Sequence, residues 1–341
     1  MRECYAQAAE RFGWSRRPVA PRAQRDGRWL VGWGMATATY PAGQGTAAAV
    51  ARVRLDGSAL VQTGSQDIGT GTYTILSQIA ADALALPFAR VKVELGDTKL
   101  PETPVSGGSR TAATVGSAVK AAALAVRGKL AELAVADARS PLHGLPPAEL
   151  EAHAGVFTAP RARPGRRDLY TDILARARLG QIEARVETKE SESRKPFSTH
   201  AFGAQFAEVR VDAELGEVRL SRLVAAFAAG RILNAKTARS QFLGGMVWGI
   251  GFALHEHTVR DARTARAVTR DLADYHVPVH ADVPALEVIM VDEDDPHVSG
   301  VGAKGIGEIG ITGSVAAIAN AVFHATGRRV RDLPITPDKV L

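Results

Sequence analysis

The chain has 341 residues, 46% of them hydrophobic and 23% charged, with a net charge of +6 and a single cysteine, Cys4. That length and balance suit an ordinary globular chain of one large or two smaller domains, and one thiol excludes a disulfide framework, a cysteine-rich zinc site or an iron–sulfur cluster within the chain. The positive excess is mostly arginine, much of it between Arg139 and Lys195, without aromatic interleaving or a nucleic-acid signature, so nucleic acid is not an expected partner.

The first residues, "MRECYAQAAERFGWSRRP", are polar and charged and lack the apolar core of a signal peptide. No stretch reaches ~18 uninterrupted apolar residues. No export or membrane address is therefore expected in the polypeptide. "CYAQAAERFGW" reads as a short amphipathic helix, and "RRPVAPRAQRDG" as a linker; together they make an N-terminal segment, 1–24.

Strand signals follow. "AAAVARVRLDGSALVQTGS" alternates around Asp56-Gly57 and predicts a hairpin. From Tyr73 to Leu84 the period becomes helical, with Thr70 or Thr72 as the expected cap. "FARVKVELGDT" is a strand, and the Gly/Ser loop before Thr111 feeds a long Ala-rich helix. These make a first half, 25–135. Residues 136–197, rich in Pro, Gly and Arg, read as a connector.

The same grammar then returns. "GAQFAEVRVDAELGEVRL" predicts a second hairpin, "TARSQFLGGMVWGIGFALHEH" a glycine-studded helix, "ALEVIMVDEDD" a buried strand, and "TGSVAAIANAVFHAT" a last helix. The expected second half is 198–341. Hairpins mixed with strand–loop–helix units argue for an α+β fold of two similar subdomains, each a mixed β-sheet with packed helices.

Three glycine-rich loops each open into a helix: "DIGTGT" (67–72), "SGGSRT" (106–111) and "KGIGEIGITG" (304–313). Helix starts offer unpaired N–H groups and partial positive charge, and glycine lets backbone approach a ligand closely. Three such loops in one chain, two of them lined with Ser and Thr, point to a polyanionic cofactor held by backbone and hydroxyls. The dinucleotide fingerprint is absent: the glycines fall at Gly302, Gly305 and Gly307, and Ala325, Thr326 and Gly327 stand where an acid is required. A Walker A loop is absent too.

Five stretches carry a resemblance: "GSQDIGTGTYTILSQIAADAL", "GDTKLPETPVSGGSRTAATVGSAV", "FGAQFAEVRVDAELGEVRL", "AGRILNAKTARSQFLGGMVWGIGFALHE" and "VGAKGIGEIGITGSVAAIANAV". Together they resemble the second molybdopterin-binding domain of the molybdenum hydroxylases (xanthine dehydrogenase and aldehyde oxidase), nearest to the molybdenum-binding large subunit of bacterial aldehyde oxidoreductases. The resemblance implies that Ile68, Gly69 and Thr70 touch the pterin–dithiolene end of a molybdenum cofactor. Ser109, Thr111 and Ala112 would line the neighbouring loop. Arg231, Ile232, Leu233, Asn234, Ala235, Lys236 and Thr237, with Gln241, would hold the pyrophosphate and nucleotide. Lys304, Gly305, Ile306 and Gly307 would close over the pterin and present Glu308.

Threonine in the "IGTG" context resembles the members that use molybdopterin cytosine dinucleotide. Ala235 departs from the family, which often has proline there. In the family's reaction Glu308 would be the base that deprotonates a molybdenum hydroxide as it attacks an aldehyde or N-heterocycle, with hydride passing to a sulfido ligand. No side chain of this chain is expected to ligate the metal. The resemblance also implies partners: an N-terminal half of the large subunit on a separate or missing stretch, an iron–sulfur subunit with 2Fe-2S, and an FAD subunit. A cytoplasmic location is expected, or a periplasmic one if a partner carries the export signal.

Other readings stay open. Glu308 is by physics alone either a base or a helix-start acid; the chain is either part of an enzyme or a structural remnant without metal. The "HEH" of His255, Glu256 and His257 reads as a polar helix end, because such neighbours do not share a helix face. His276 and His280 in "DYHVPVH" read as loop residues that are solvated or line a substrate funnel, and Asp97 as a turn residue.

Overall fold

The structure, a computed structural model, describes all residues, 1–341. In chain order the elements are α1 (Arg2–Phe12), β1 (Gln24–Asp26), β2 (Trp29–Pro41), β3 (Ala47–Arg54), β4 (Ala59–Gln62), α2 (Thr72–Leu84), β5 (Val91–Glu94), α3 (Thr111–Ala136), β6 (Glu151–His153), β7 (Val156–Ala159), β8 (Arg163–Leu169), α4 (Tyr170–Arg176), β9 (Gln181–Thr188), β10 (His200–Asp212), β11 (Val218–Ala228), α5 (Ala235–Leu254), β12 (Ala285–Met290), α6 (Ile309–Thr326) and α7 (Pro337–Val340). They form two compact units. One comprises Met1–Pro41, His200–Asp294 and Gly305–Leu341; the other comprises Ala42–Thr199 and Asp295–Lys304.

The first unit is built on a five-stranded sheet in the order β1-β2-β10-β11-β12, antiparallel except for the β11–β12 pair. Its two faces follow from period-2 alternation along β10. Ala204 and Phe206 pack toward α1 with Phe12, Trp33 and Val224. Ala207, Val209 and Val211 belong to the larger core with α5 and α6. α6 runs directly over β2, where Gly32 and Gly34 leave room for it: a Cβ at Gly34 would collide with the backbone of Ala317 and Ala321. By length and composition α6 could cross a membrane, but 61% of it is buried, as a core helix of this unit. It ends at Gly327, whose φ of 77° places it in the left-handed region.

The second unit has a four-stranded sheet, β5-β4-β3-β9, with α2 and α3 against it, and a small sheet, β6-β7-β8. The hairpin expected around Asp56-Gly57 is β3–β4. Residues 136–197 differ from the connector read in the sequence, since they hold β6 to β9 and α4. β9 pairs along the whole of β3. Its alternation in "QIEARVET", with Ile182, Ala184 and Val186 on the less exposed positions, was hidden by the Arg and Pro content around it. Asp168 is buried there, accepting from the Ser140 hydroxyl at 2.7 Å and paired with Arg176. The units also differ from the halves 25–135 and 198–341, because β2 pairs residue by residue with β10 rather than with β3.

Candidate functional site

Two of the three glycine-rich loops lie in the second unit and are fastened to each other. Gln66 does most of this. Its Oε1 accepts the Ser106 N–H at 2.8 Å, and its carbonyl accepts the Ser106 hydroxyl at 3.0 Å. Thr111 donates to the Ser106 hydroxyl at 3.3 Å. The Gly64 N–H donates to the Pro101 carbonyl at 2.7 Å, so close that a Cβ at Gly64 would lie 2.8 Å from the same oxygen.

The start of α2 is capped differently from the expectation. Neither Thr70 nor Thr72 caps it; the two hydroxyls bond each other at 3.0 Å. The cap is the carboxylate of Asp67, which accepts the N–H groups of Gly69 at 2.9 Å and Tyr73 at 3.2 Å. Burial alone would raise the Asp67 pKa, but the amides of Tyr73, Gly69, Gly71 and Thr70 outweigh it and hold the carboxyl below its usual value. The positive end of α2 is thus already answered by a charge of the chain itself, and a second anion would be repelled there. What the loop presents instead is the exposed Ile68 side chain and bare backbone at Gly69, where φ is 97° and a Cβ would meet nothing within 4 Å.

Across from it Gly108 and Ser109 both have positive φ, and Arg110, Thr111 and Ala112 are half-buried at the start of α3. Around these two loops three polar atoms, Ser65 Oγ, Thr103 Oγ1 and Arg110 Nε, are buried with no hydrogen-bond partner in the protein. Buried polar groups are nearly always satisfied. Unsatisfied donors of these residues, together with the open backbone at Gly69, fit a large heteroatom-rich group such as a pterin cofactor.

Lys304 also belongs to the second unit. Its side chain is 2% exposed, and its ammonium lies 3.1 Å from Asp295 Oδ2. Burial would raise the Asp295 pKa; Lys304 and the His297 N–H overcome this and lower it.

Arg231–Gln241 and Gly305–Glu308 lie in the first unit. The segment before α5 is anchored by Glu293, which accepts the Gly230 N–H at 2.6 Å. Asn234 caps α5, accepting the Thr237 N–H at 3.0 Å. The Ala235 substitution leaves this turn intact, since the cap comes from Asn234. Ile232 and Leu233 are half-buried, whereas Arg231, Lys236 and the neighbouring Arg239 are exposed. Three cations at a helix start form a surface suited to phosphate. Gln241 is half-buried one turn further along.

Glu308 is the half-buried N-cap residue of α6, between exposed Gly307 and buried Ile309; Gly305 is buried and Ile306 half-buried. Its place is set by the crossing of α5 and α6. A Cβ at Gly310 would lie 2.7 Å from the Phe242 carbonyl and 2.9 Å from the Gly245 Cα. The Gly310 carbonyl accepts the Gln205 amide at 2.8 Å and the Ser314 hydroxyl at 2.8 Å. Glycines near Glu308 therefore serve two purposes: Gly310 and Gly313 admit helix and sheet contacts, and only those before the acid lie on its loop. Seven residues of helix, about 10 Å, separate Phe242 from the start of α5, so Glu308 and the Arg231–Thr237 segment share one end of this unit.

Glu256 accepts the Tyr275 hydroxyl at 2.9 Å, which pushes the Tyr275 pKa up, while His255 ends α5. No group of three or more His, Cys, Asp or Glu side chains is arranged to hold a metal. Reading the sequence assigns no role to Gln66, Asp67 or Gln205, while Glu293 and Asp295 fall in "VDEDDPH" (291–297), which reads as solvated or structural. Of these only Asp67 carried a signal, an acid two residues before a glycine at a helix entry.

The chain matches, over residues 7–284, the family described as molybdopterin cofactor-binding domain. It is 42% identical, over 99% of its length, to the aldehyde oxidoreductase molybdenum-binding subunit PaoC of Escherichia coli O157:H7, covering 44% of that protein. It is 30% identical, over 94% of its length, to the 6-hydroxypseudooxynicotine dehydrogenase complex subunit gamma of Paenarthrobacter nicotinovorans, covering 40% of it. Among solved structures, quinoline 2-oxidoreductase from Pseudomonas putida 86 shares the fold with a TM-score of 0.86 at 24% identity, over 99% of this chain and 44% of that one. The chain spans less than half the length of these relatives.

Proposed function

The chain belongs to the molybdopterin cofactor-binding domain family, and from that premise we propose that it is the C-terminal, cofactor-binding part of the molybdenum subunit of an aldehyde oxidoreductase, with Glu308 as the base. The observation that carries this reading is the pair of loops fastened through Gln66, with the buried Ser65, Thr103 and Arg110 atoms left without protein partners and the backbone at Gly69 open. When bound, the molybdenum cofactor supplies the two-electron redox chemistry and the transferred oxygen.

The chain's own residues do the rest. Ile68 presents an apolar side chain, Gly69 and Thr70 offer backbone and hydroxyl, and Ser109, Thr111 and Ala112 line the second loop toward the pterin end. Arg231, Lys236 and the α5 start hold the phosphates, which favours a dinucleotide form; Thr70 in "IGTG" favours cytosine as its base. Glu308, fixed at the first turn of α6, takes the proton lost by the oxygen nucleophile, and its half-burial limits competition from water. The higher identity to an aldehyde oxidoreductase subunit favours aldehydes over N-heterocycles as substrates. An N-terminal half, an iron–sulfur subunit and an FAD subunit complete the assembly and carry electrons away, in the cytoplasm unless a partner exports the complex.

Glu308→Gln keeps the shape and removes the base. In the assembled enzyme it is expected to lower turnover at least ~100-fold while molybdenum remains bound. Unchanged turnover would refute the role.

A further inference from the structure

The chain leaves the first unit after Asp294 and re-enters it at Gly305; the intervening segment, Asp295–Lys304, belongs to the second. The two ends of this excursion are the two partners of an ion pair, buried Lys304 Nζ to half-buried Asp295 Oδ2 at 3.1 Å. Between them the loop is folded on itself. The Ser299 hydroxyl donates to the Ala303 carbonyl at 3.0 Å, and the Gly302 N–H donates to the Ser299 carbonyl at 3.0 Å. The loop is seated on α3: the Gly300 N–H donates to the Ser117 hydroxyl at 3.0 Å, and Lys120 donates to the Gly300 carbonyl at 2.7 Å. Val301 is buried beside Gly116.

We propose that Lys304 is a positioning residue. Its pair with Asp295 clasps the loop at its neck and thereby fixes the point from which Gly305–Glu308 departs. The Lys304 side chain is 2% exposed and its ammonium is paired with Asp295, so engaging a cofactor instead would mean giving up a charge pair on a buried lysine, which is unfavourable. The clasp stands on geometry alone; its importance for turnover rests on Glu308 being the base.

The test is hydrogen exchange on the full chain, with Lys304→Met, Asp295→Asn and the double variant. Lys304→Met is expected to accelerate exchange of the Gly302–Gly307 amides at least tenfold and to leave β10 and β11 within twofold. The double variant should be no worse than Lys304→Met, since both changes remove one interaction. Should Lys304→Met fail to fold, Asp295→Asn, at a partly exposed position, carries the same readout. Unchanged exchange in the loop, additive effects, or acceleration spread evenly over the chain would overturn the clasp. In the assembled enzyme, kcat is expected to fall in Lys304→Met with KM and molybdenum content kept. Lost molybdenum with an undisturbed loop would instead make Lys304 a cofactor ligand and overturn the proposal. A loosened loop with full turnover would overturn the positioning role, whereas unchanged turnover in Glu308→Gln would overturn the reading of Glu308.

Discussion

His324 is fully buried in α6, where both ring nitrogens are used. Nδ1 accepts the Trp33 N–H at 3.0 Å, and Nε2 donates to the Pro18 carbonyl at 2.8 Å. The ring is therefore neutral with its proton on Nε2, and protonation would put a second N–H against that of Trp33. Burial lowers its pKa; the Pro18 carbonyl works the other way, and Arg17 adds to the lowering. Its folded value thus lies below the ordinary value of about 6.5. Its contribution to stability is complete above that value and is lost as pH falls below it, because the unfolded chain takes up the proton first. The urea midpoint is expected to drop between pH 7 and pH 5 more steeply in the wild type than in His324→Gln; equal slopes would contradict this. Asp137 tests the same direction of pH dependence with an acid. The Arg139 backbone N–H, the Arg139 side chain and Arg176 hold its carboxyl at about 2. Stability from it is present above the ordinary carboxylate value and disappears as pH falls through 2. A carboxyl carbon titration by NMR should find the midpoint near 2, and a midpoint in the normal range for aspartate would refute the arrangement.

At the scale of elements, glycines decide where α6 lies, and hence where Glu308 stands. Gly34 faces the α6 backbone, so Gly34→Ala is expected to cost at least about 3 kcal/mol, at the upper end of overpacking effects. Gly244, on the exposed face of α5, has open space where its Cβ would go, and Gly244→Ala is expected to stabilise by about 1 kcal/mol. Chemical denaturation of the two variants checks both signs. This contrast marks what was legible in the sequence. The hairpins β3–β4 and β10–β11 and the helix α2 are visible as periodicity, α3 as an alanine-rich run, and α5 and α6 as apolar runs. Which glycines served turns, which served helix contacts and which stayed open was not, because that depends on what the fold brings opposite each one. The expected cap of α2 fails for a related reason: the Thr70 and Thr72 hydroxyls bond each other, and the Asp67 carboxylate accepts the Tyr73 N–H of the first turn as well as the Gly69 N–H of the loop.

At the scale of the whole molecule, local pattern gave the α+β class but not the partition. No strand is read from the sequence over 29–41, yet the thirteen residues of β2 pair with β10, from His200 opposite Pro41 to Asp212 opposite Trp29; such pairing is set by the burial of both faces of the sheet and not by any short signal. The glycine-rich loops are legible in the sequence as a place for a polyanionic cofactor, and the assignment of roles to single residues rests on the resemblance. The loops at 67–72 and 106–111 stand out by their glycines, whereas Gln66, which joins them, lies just outside both and carries no signal of that role. The identification as a molybdenum-cofactor-binding chain is tested most directly by its metal and nucleotide content. The chain would be co-produced with one supplying the remaining length of its relatives, in cells that make the cofactor, and the purified complex assayed for molybdenum and for CMP released by mild acid. About one of each per complex is expected; a well-assembled complex that contains neither would contradict the proposed function.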